Sequence, residues 1–477
     1  MIRKVLLAVA LLCFAAFVFA AEVSFLADGT KTRLAFAFIL ALLPIAGGFA
    51  LRQPLLFPFA LYALLIPFDN LLSIGKLLTL TKIVAAASSA ALVFFMIRTK
   101  EVVRPHPALF VWAALIVWMA MTVTWALQPD VALTKLFTYL QLFAVYAALS
   151  LYPVKKHELN VVVLALLAGS LVAAAYGIKL FHSQSAIQAL ELQRNLGRVV
   201  LSTQDAEIDP NHFAATLILP VAIVMMSALR TRLSLAKLGY LAAFVVLLGG
   251  VYVSASRGAL VAVIAVFLYL LWKSRYRAQL IAVAMLGFVG GIGISNRIIE
   301  RFAQASATGG SGRLSVWSVG FEALKHHWLI GAGTGNYPAA YDNAFIHAYQ
   351  PYYQHWHRVA HNLILQTWVE LGIIGLAMTL IAWYVQFNAL RHIDKQHELY
   401  DFRLCLEAAL LGLFVASFFL DLIWYKYAWM AFSLVMLVRS YSLQLGQVPA
   451  GITLKTPHVQ QAFPTVPLPR HEPAARL

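Results

Sequence analysis

The chain has 477 residues, of which 61% are hydrophobic and 12% charged, about half the ~25% charge of an ordinary soluble domain. Its net charge of +16 is not gathered into a basic stripe or a nucleic-acid-binding module, which excludes nucleic acid as the reason for it. Apolar runs near the ~18-residue bilayer threshold recur from end to end, without the alternating segments of a β-barrel. The pattern predicts an all-α polytopic membrane protein.

In chain order, Arg3 and Lys4 precede an apolar run that ends in Phe19-Ala20-Ala21. A signal peptide opens in the same way, but this run is longer than a usual signal core and more runs follow, so it is taken as the first span. Spans are expected near 5–21, 33–51, 55–72, 79–97, 108–127, 135–152, 159–181, 212–229, 238–254, 259–272, 279–294, 362–388, 403–420 and 424–440. The short segments 55–72 and 259–272 are candidates for re-entrant or half-spans, which gives about 12 to 14 transmembrane helices. Residues 1–442 then form one integral membrane domain with a long loop at 295–360. Residues 443–477 are Pro-rich and aperiodic, as expected of a disordered cytoplasmic tail. Cys13 and Cys405 lie in apolar runs and suit small core positions.

Basic residues orient the spans. Linkers holding Arg98, Lys100 and Arg104, then Lys155 and Lys156, then Arg230, Arg232 and Lys237, then Lys273, Arg275 and Arg277, then Arg391 and Lys395 alternate with linkers poor in Lys and Arg. The rich set is cytoplasmic by the positive-inside rule. Three polar stretches then converge on the opposite face: residues 182–211, the break Ser254-Ala255-Ser256-Arg257-Gly258, and the loop 295–360.

Arg194 and Arg198 are four residues apart, so on a helical turn they share a face. Two guanidiniums so placed can clamp phosphate oxygens, or anchor at lipid headgroups. Asp209-Pro210-Asn211 is a helix-start signal. Arg257 stands between two apolar runs with only Ser, Ala and Gly beside it. An arginine there is costly unless paired or hydrated, which points to an anion site or to a structural pair with an acid such as Asp209.

The long loop carries Arg297, Arg301, Arg313, Lys325 and Arg358, and six histidines ending at His361. After a Gly-rich opening that ends at Arg313, Leu314 to Trp328 is amphipathic, with Trp317 and Trp328 suited to a membrane interface. Gly331-Ala332-Gly333-Thr334-Gly335 lacks the strand before it and the Lys-Ser/Thr after it that a phosphate loop needs, so it is expected to be a tight turn. His355, His357 and His361 have only Asp342 near in sequence, and no metal site is expected from them. His361 opens the next span, where a neutral imidazole can accept a hydroxyl proton or simply hydrogen-bond at the interface. Glu370 is expected to be a buried structural carboxyl that does not reach His361 along one straight helix.

Three segments in this order resemble a known family: Ser256-Arg257-Gly258-Ala259, then Gly312-Arg313-Leu314-Ser315-Val316-Trp317 running into Gly331-Ala332-Gly333-Thr334-Gly335-Asn336, then His361-Asn362 followed by Glu370-Leu371-Gly372-Ile373-Ile374-Gly375-Leu376. Together, after the Asp-Pro-Asn start, they resemble the O-antigen ligase and O-antigen polymerase superfamily over about residues 190–380.

The resemblance implies a GT-C-like glycosyltransferase of the bacterial inner membrane, with its site facing the periplasm and neither cofactor nor metal. The donor would be a polysaccharide on undecaprenyl pyrophosphate, and the acceptor, in the ligase branch, the lipid A–core oligosaccharide. On that basis His361 is the general base, and Arg194, Arg198, Arg257 and Arg313 bind pyrophosphate, with Arg257 also stabilising the leaving group. Polymerase and protein O-oligosaccharyltransferase branches share the superfamily. A transporter or flippase is the alternative of another class; Lys82 and Asp421 are the near-membrane charges that favour it.

Overall fold

The computed structural model describes residues 46–69, 71–74, 78–182, 210–282, 285, 313–348 and 357–446. The chain is an all-α membrane protein. Its helices are α1 (Ala46–Arg52), α2 (Leu55–Phe68), α3 (Leu80–Thr99), α4 (Pro107–Trp125), α5 (Pro129–Leu151), α6 (Lys156–His182), α7 (Pro210–Arg230), α8 (Leu235–Ser254) and α9 (Arg257–Lys273). After them come α10 (Arg313–His327), α11 (Tyr337–Phe345), α12 (Leu363–Phe387), α13 (Tyr400–Ala416) and α14 (Lys426–Gly446). A two-residue antiparallel pairing of β1 (Ser73–Ile74) with β2 (Leu78–Thr79) closes the turn before α3.

Among the described residues, seven helices are long and apolar enough to cross a membrane, or eight if the α1–α2 pair, bent by 109°, is one broken span. That bend agrees with the re-entrant or half-span expected at 55–72. The expected spans at 5–21, most of 33–51 and most of 279–294 lie outside the described residues. So does most of the tail, although α14 runs to Gly446, past the expected domain boundary at 442. The segment 313–348 differs from an open loop. It folds into α10 and α11, which pack on each other and on α12 around Val319, Ala323, Tyr337, Tyr341 and Val369.

Helix starts follow the local chemistry. Thr79, Ser234, Ser256 and Asn362 each accept a backbone N–H of the first turn, and proline opens α4 and α5. Packing then sorts the helices. α7 is buried almost throughout, with α6, α8, α9 and α13 around it, whereas α8 is largely exposed as a peripheral lipid-facing helix is.

The basic linkers meet at one end of the bundle. Val103 N–H donates to Leu151 O at 2.9 Å and Arg439 Nη1 to Arg104 O at 3.1 Å. Arg275 pairs with the buried Asp401 at 2.7 Å, and Arg403 with the buried Glu407 at 2.7 Å. The polar breaks meet at the other end, where Leu127 N–H donates to Ala332 O at 3.0 Å and Leu363 N–H to Ser417 O at 2.8 Å.

His106 caps α4 by accepting Ala108 N–H on Nδ1 at 3.2 Å, which requires a neutral ring. Burial, then Arg439 and His392, push its pKa down to about 4. A lowered histidine pKa favours folding above the unfolded value near ~6.5, and that contribution fades as pH falls toward 4. The thermal midpoint should therefore drop between pH 6.5 and 4 less steeply in His106→Asn, which caps without titrating. Equal slopes for the two proteins would remove His106 as a cause.

Candidate active site

The backbone delivers His361 in an unusual conformation. Its φ is 46°, in the left-handed region that non-glycine residues rarely occupy and that costs of order ~1 kcal/mol or more. Neighbours on both sides hold it there. Trp317 Nε1 donates to Ala360 O at 2.9 Å, Asn362 Nδ2 to Phe418 O at 3.3 Å, and Asn362 Oδ1 accepts Leu365 N–H at 3.0 Å. The His361 backbone is thus held directly before the N-cap of α12.

The organising element is the turn between α13 and α14, residues 417–425. Arg313 Nη2 donates to Phe419 O at 3.2 Å, and its guanidinium lies 5.7 Å from the Phe419 ring. Gly258 faces the same residue, and a Cβ built on it would lie 2.8 Å from Phe419 Cβ, so only glycine lets this turn seat beside Arg257. Arg257, half-buried, is the first residue of α9, behind the Ser256 cap. Arg313, Gly258 next to Arg257, and Asn362 next to His361 come from three separated segments and meet one turn. On the far side of the turn the His212 ring stacks on Tyr425 at 3.7 Å, and its Nδ1 lies 3.0 Å from Tyr427 Oη.

Below the turn lies a buried polar network. Gln366 Nε2 donates to Glu370 Oε1 at 3.1 Å and to Asp421 Oδ2 at 3.2 Å. Glu370 Oε2 accepts Gly335 N–H at 2.8 Å. Lys135, whose ammonium sits 2.7 Å from the centre of the Trp424 ring, lies within the fields of both carboxyls. Nearby, Lys426 pairs with Asp69, which also accepts Thr79 Oγ1 at 2.9 Å.

Gly331, Gly333 and Gly335 all have positive φ, as a tight turn requires. The turn docks on α12, where Gly333 N–H donates to Glu370 O at 2.9 Å and Ala332 N–H to Val369 O at 2.8 Å. These bonds use carbonyls freed by a break in α12 at Gly372, whose φ is 69°. The expectation of one straight helix after His361 is corrected accordingly. Glu370 is buried as expected, and its partners tie the glycine turn to the 417–425 turn.

Arg194, Arg198, Asp209 and His355 lie outside the described residues. His357 pairs with Asp342 at 2.5 Å, and among the described residues no group of three His, Cys, Asp or Glu is placed to hold a metal ion. Lys82 and Asp421 stand at helix ends rather than mid-span. The 417–425 turn, Gln366, Lys135 and His212 were missed as site residues in the sequence. The usable signal was a lone acid, Asp421, in a short break between two apolar runs.

No curated protein matches the chain. Residues 242–380 do match the family model described as O-Antigen ligase, and this segment contains Arg257, Arg313, His361 and Glu370. What the comparison supports is therefore a likeness of this segment, residues 242–380, to the O-antigen ligase superfamily.

Proposed function

We propose that the protein transfers a polysaccharide from undecaprenyl pyrophosphate to a sugar hydroxyl of the lipid A–core oligosaccharide, at the periplasmic face of the bacterial inner membrane. The observation that carries this reading is that Arg313 and the immediate neighbours of Arg257 and His361 all contact the 417–425 turn, and that these three segments lie within the family-matched residues. A lipid diphosphate presents its anion at the end of the spans, the depth at which these helix-start arginines stand. The site end is also the end away from the basic linkers, which the positive-inside rule assigns to the periplasm.

The acceptor hydroxyl oxygen attacks the anomeric carbon of the first donor sugar and forms the new glycosidic bond. The bond from that carbon to the pyrophosphate oxygen breaks, and the electron pair leaves with the pyrophosphate. His361 takes the hydroxyl proton. Arg257 and Arg313 stabilise the growing charge on the departing oxygen, and Arg194 and Arg198 are proposed to join them. Direct attack inverts the anomeric centre. The integral domain at 1–442 and a cytoplasmic tail beyond it belong to the same reading, as does a GT-C-like classification.

The test is reconstitution. Purified protein in liposomes with undecaprenyl-pyrophosphate-linked polysaccharide and lipid A–core should form the conjugate, with EDTA present. Growth of the lipid-linked chain without the acceptor would make it a polymerase. Movement of lipid-linked sugar across the bilayer with no new glycosidic bond would make it a flippase.

A further inference from the structure

The outer surface of α10 carries an apolar stripe that the proposed reaction does not use. Leu314 and Phe321, seven residues and close to two turns apart, line up along the helix, Trp328 follows them directly after its last residue, and the three are 59%, 58% and 53% exposed. Val316, Val319, Ala323 and Leu324 fill a separate face, buried against α11 and α12. Lys325, Ser318 and His326, exposed and polar, follow round the helix from the edge of the stripe, Ser318 one turn from Leu314 and Lys325 one turn from Phe321, so a polar surface borders the apolar one. A helix with a core face, an open apolar face and a water face has three environments to satisfy, and water with protein supplies only two.

The stripe continues past the helix. Leu329 and Ile330 are exposed, and Trp328 O accepts both Ile373 N–H at 2.8 Å and Trp368 Nε1 at 3.0 Å. This joins the stripe to α12 where that helix resumes after Gly372. From there α12 shows Ile373, Ile374, Ile381 and Tyr384 at its surface, and it is long and apolar enough to cross a membrane. The apolar surface of α10 therefore runs without interruption into the lipid-facing side of a span.

We propose that α10 is an interfacial helix whose Leu314, Phe321 and Trp328 stripe is covered by bilayer lipid at the boundary between headgroups and acyl chains. Tryptophan suits that depth, and Lys325 beside the stripe reaches outward to the headgroups. The seat has a consequence for the site. Arg313 begins this helix, and Trp317 holds Ala360, the neighbour of His361. Seating α10 in the interface fixes both site residues at headgroup depth, where a lipid-borne phosphate lies. The inference depends on the protein spanning a membrane and not on which sugar is moved.

The experiment places single spin labels by Leu314→Cys, Phe321→Cys, Trp328→Cys, Ser318→Cys and His326→Cys in a Cys13→Ser background. The buried Cys405 is retained as inaccessible to the label. Full-length protein in phospholipid nanodiscs is read by power saturation with oxygen, which concentrates in lipid, and with a water-soluble nickel chelate. The expected result is higher oxygen than nickel accessibility at 314, 321 and 328, with the order reversed at 318 and 326. Nickel preference at all five positions overturns the proposal, because the stripe would face water. Immobile labels at 314, 321 and 328 that are shielded from both reagents also overturn it, because a protein would then cover the stripe. Since depth is read without turnover, failure here leaves the transfer reaction untouched, and failure of transfer leaves the depth result standing.

Discussion

His361→Ala is expected to lower conjugate formation by roughly 10²- to 10⁴-fold, the usual contribution of a positioned proton acceptor. The structural basis is the trouble taken to hold this residue. A left-handed φ of 46° at a non-glycine position is retained only where the surroundings enforce it, and the bonds at Ala360 and Asn362 do so. The imidazole is not part of a hydrophobic cluster, and it is only half-buried, so its loss should leave the thermal midpoint nearly unchanged. Donor binding should also survive, since the arginines supply the anion contacts. The assay is the rate of conjugate formation at saturating donor and acceptor, with the thermal midpoint measured on the same preparation. A rate within about tenfold of the unsubstituted protein would remove His361 as the proton acceptor, because that role is expected to contribute at least ~10²-fold.

The ends of the bundle were legible because topology is written in charge. Arg98 to Arg104, Lys155, Lys156, Arg275 and Arg391 do gather at one end, through contacts such as Arg439 to Arg104 O and Arg275 to Asp401. Arg257 and His361 stand out in the sequence as candidates because a charge or an imidazole at a span end needs a reason. The turn that gathers their segments was not legible. Its contacts join residues far apart in sequence, Arg313 to Phe419 and Lys135 to Trp424, and no local periodicity encodes such pairs. The break at Gly372 was missed for a related reason. Glycine inside an apolar helix costs only about 0.5–1 kcal/mol and is tolerated, and here it is required by a φ of 69° and by Leu329 O packing where a Cβ would be. Asp421 invited a transporter reading as an isolated membrane charge; its place in the fold is a hydrogen bond from Gln366 in a turn beside the site.

Glu370→Ala is expected to cost a few kcal/mol of stability, since each buried donor left without its acceptor costs ~1–3 kcal/mol. Three groups would lose what Glu370 supplies. Gly335 N–H loses its acceptor, Gln366 loses one of its two carboxyl partners, and the Lys135 ammonium loses a nearby opposing charge. The Lys135 ammonium keeps Asp421 and the Trp424 ring, so it is left under-compensated rather than bare, and the unmet Gly335 and Gln366 donors carry a large share of the cost. Two comparisons separate the terms. Glu322→Ala removes the acid of an exposed i, i+3 pair with Lys325 and should cost no more than ~1 kcal/mol. Adding Lys135→Met to Glu370→Ala removes the under-compensated charge and should restore part of the loss, a coupling that two independent sites would not show. Thermal unfolding in detergent compares the unsubstituted protein with Glu322→Ala, Glu370→Ala, Lys135→Met and the double variant. A Glu370→Ala midpoint no lower than that of Glu322→Ala, or a double variant that is simply additive, would mean that Glu370 does not hold this network. If the network does hold, the consequence reaches the chemistry. Through Gln366 and Asp421 the same carboxyl secures the turn whose Phe418 and Phe419 carbonyls receive Asn362 and Arg313. Glu370→Ala should therefore misplace His361 and Arg313 together, although it touches neither.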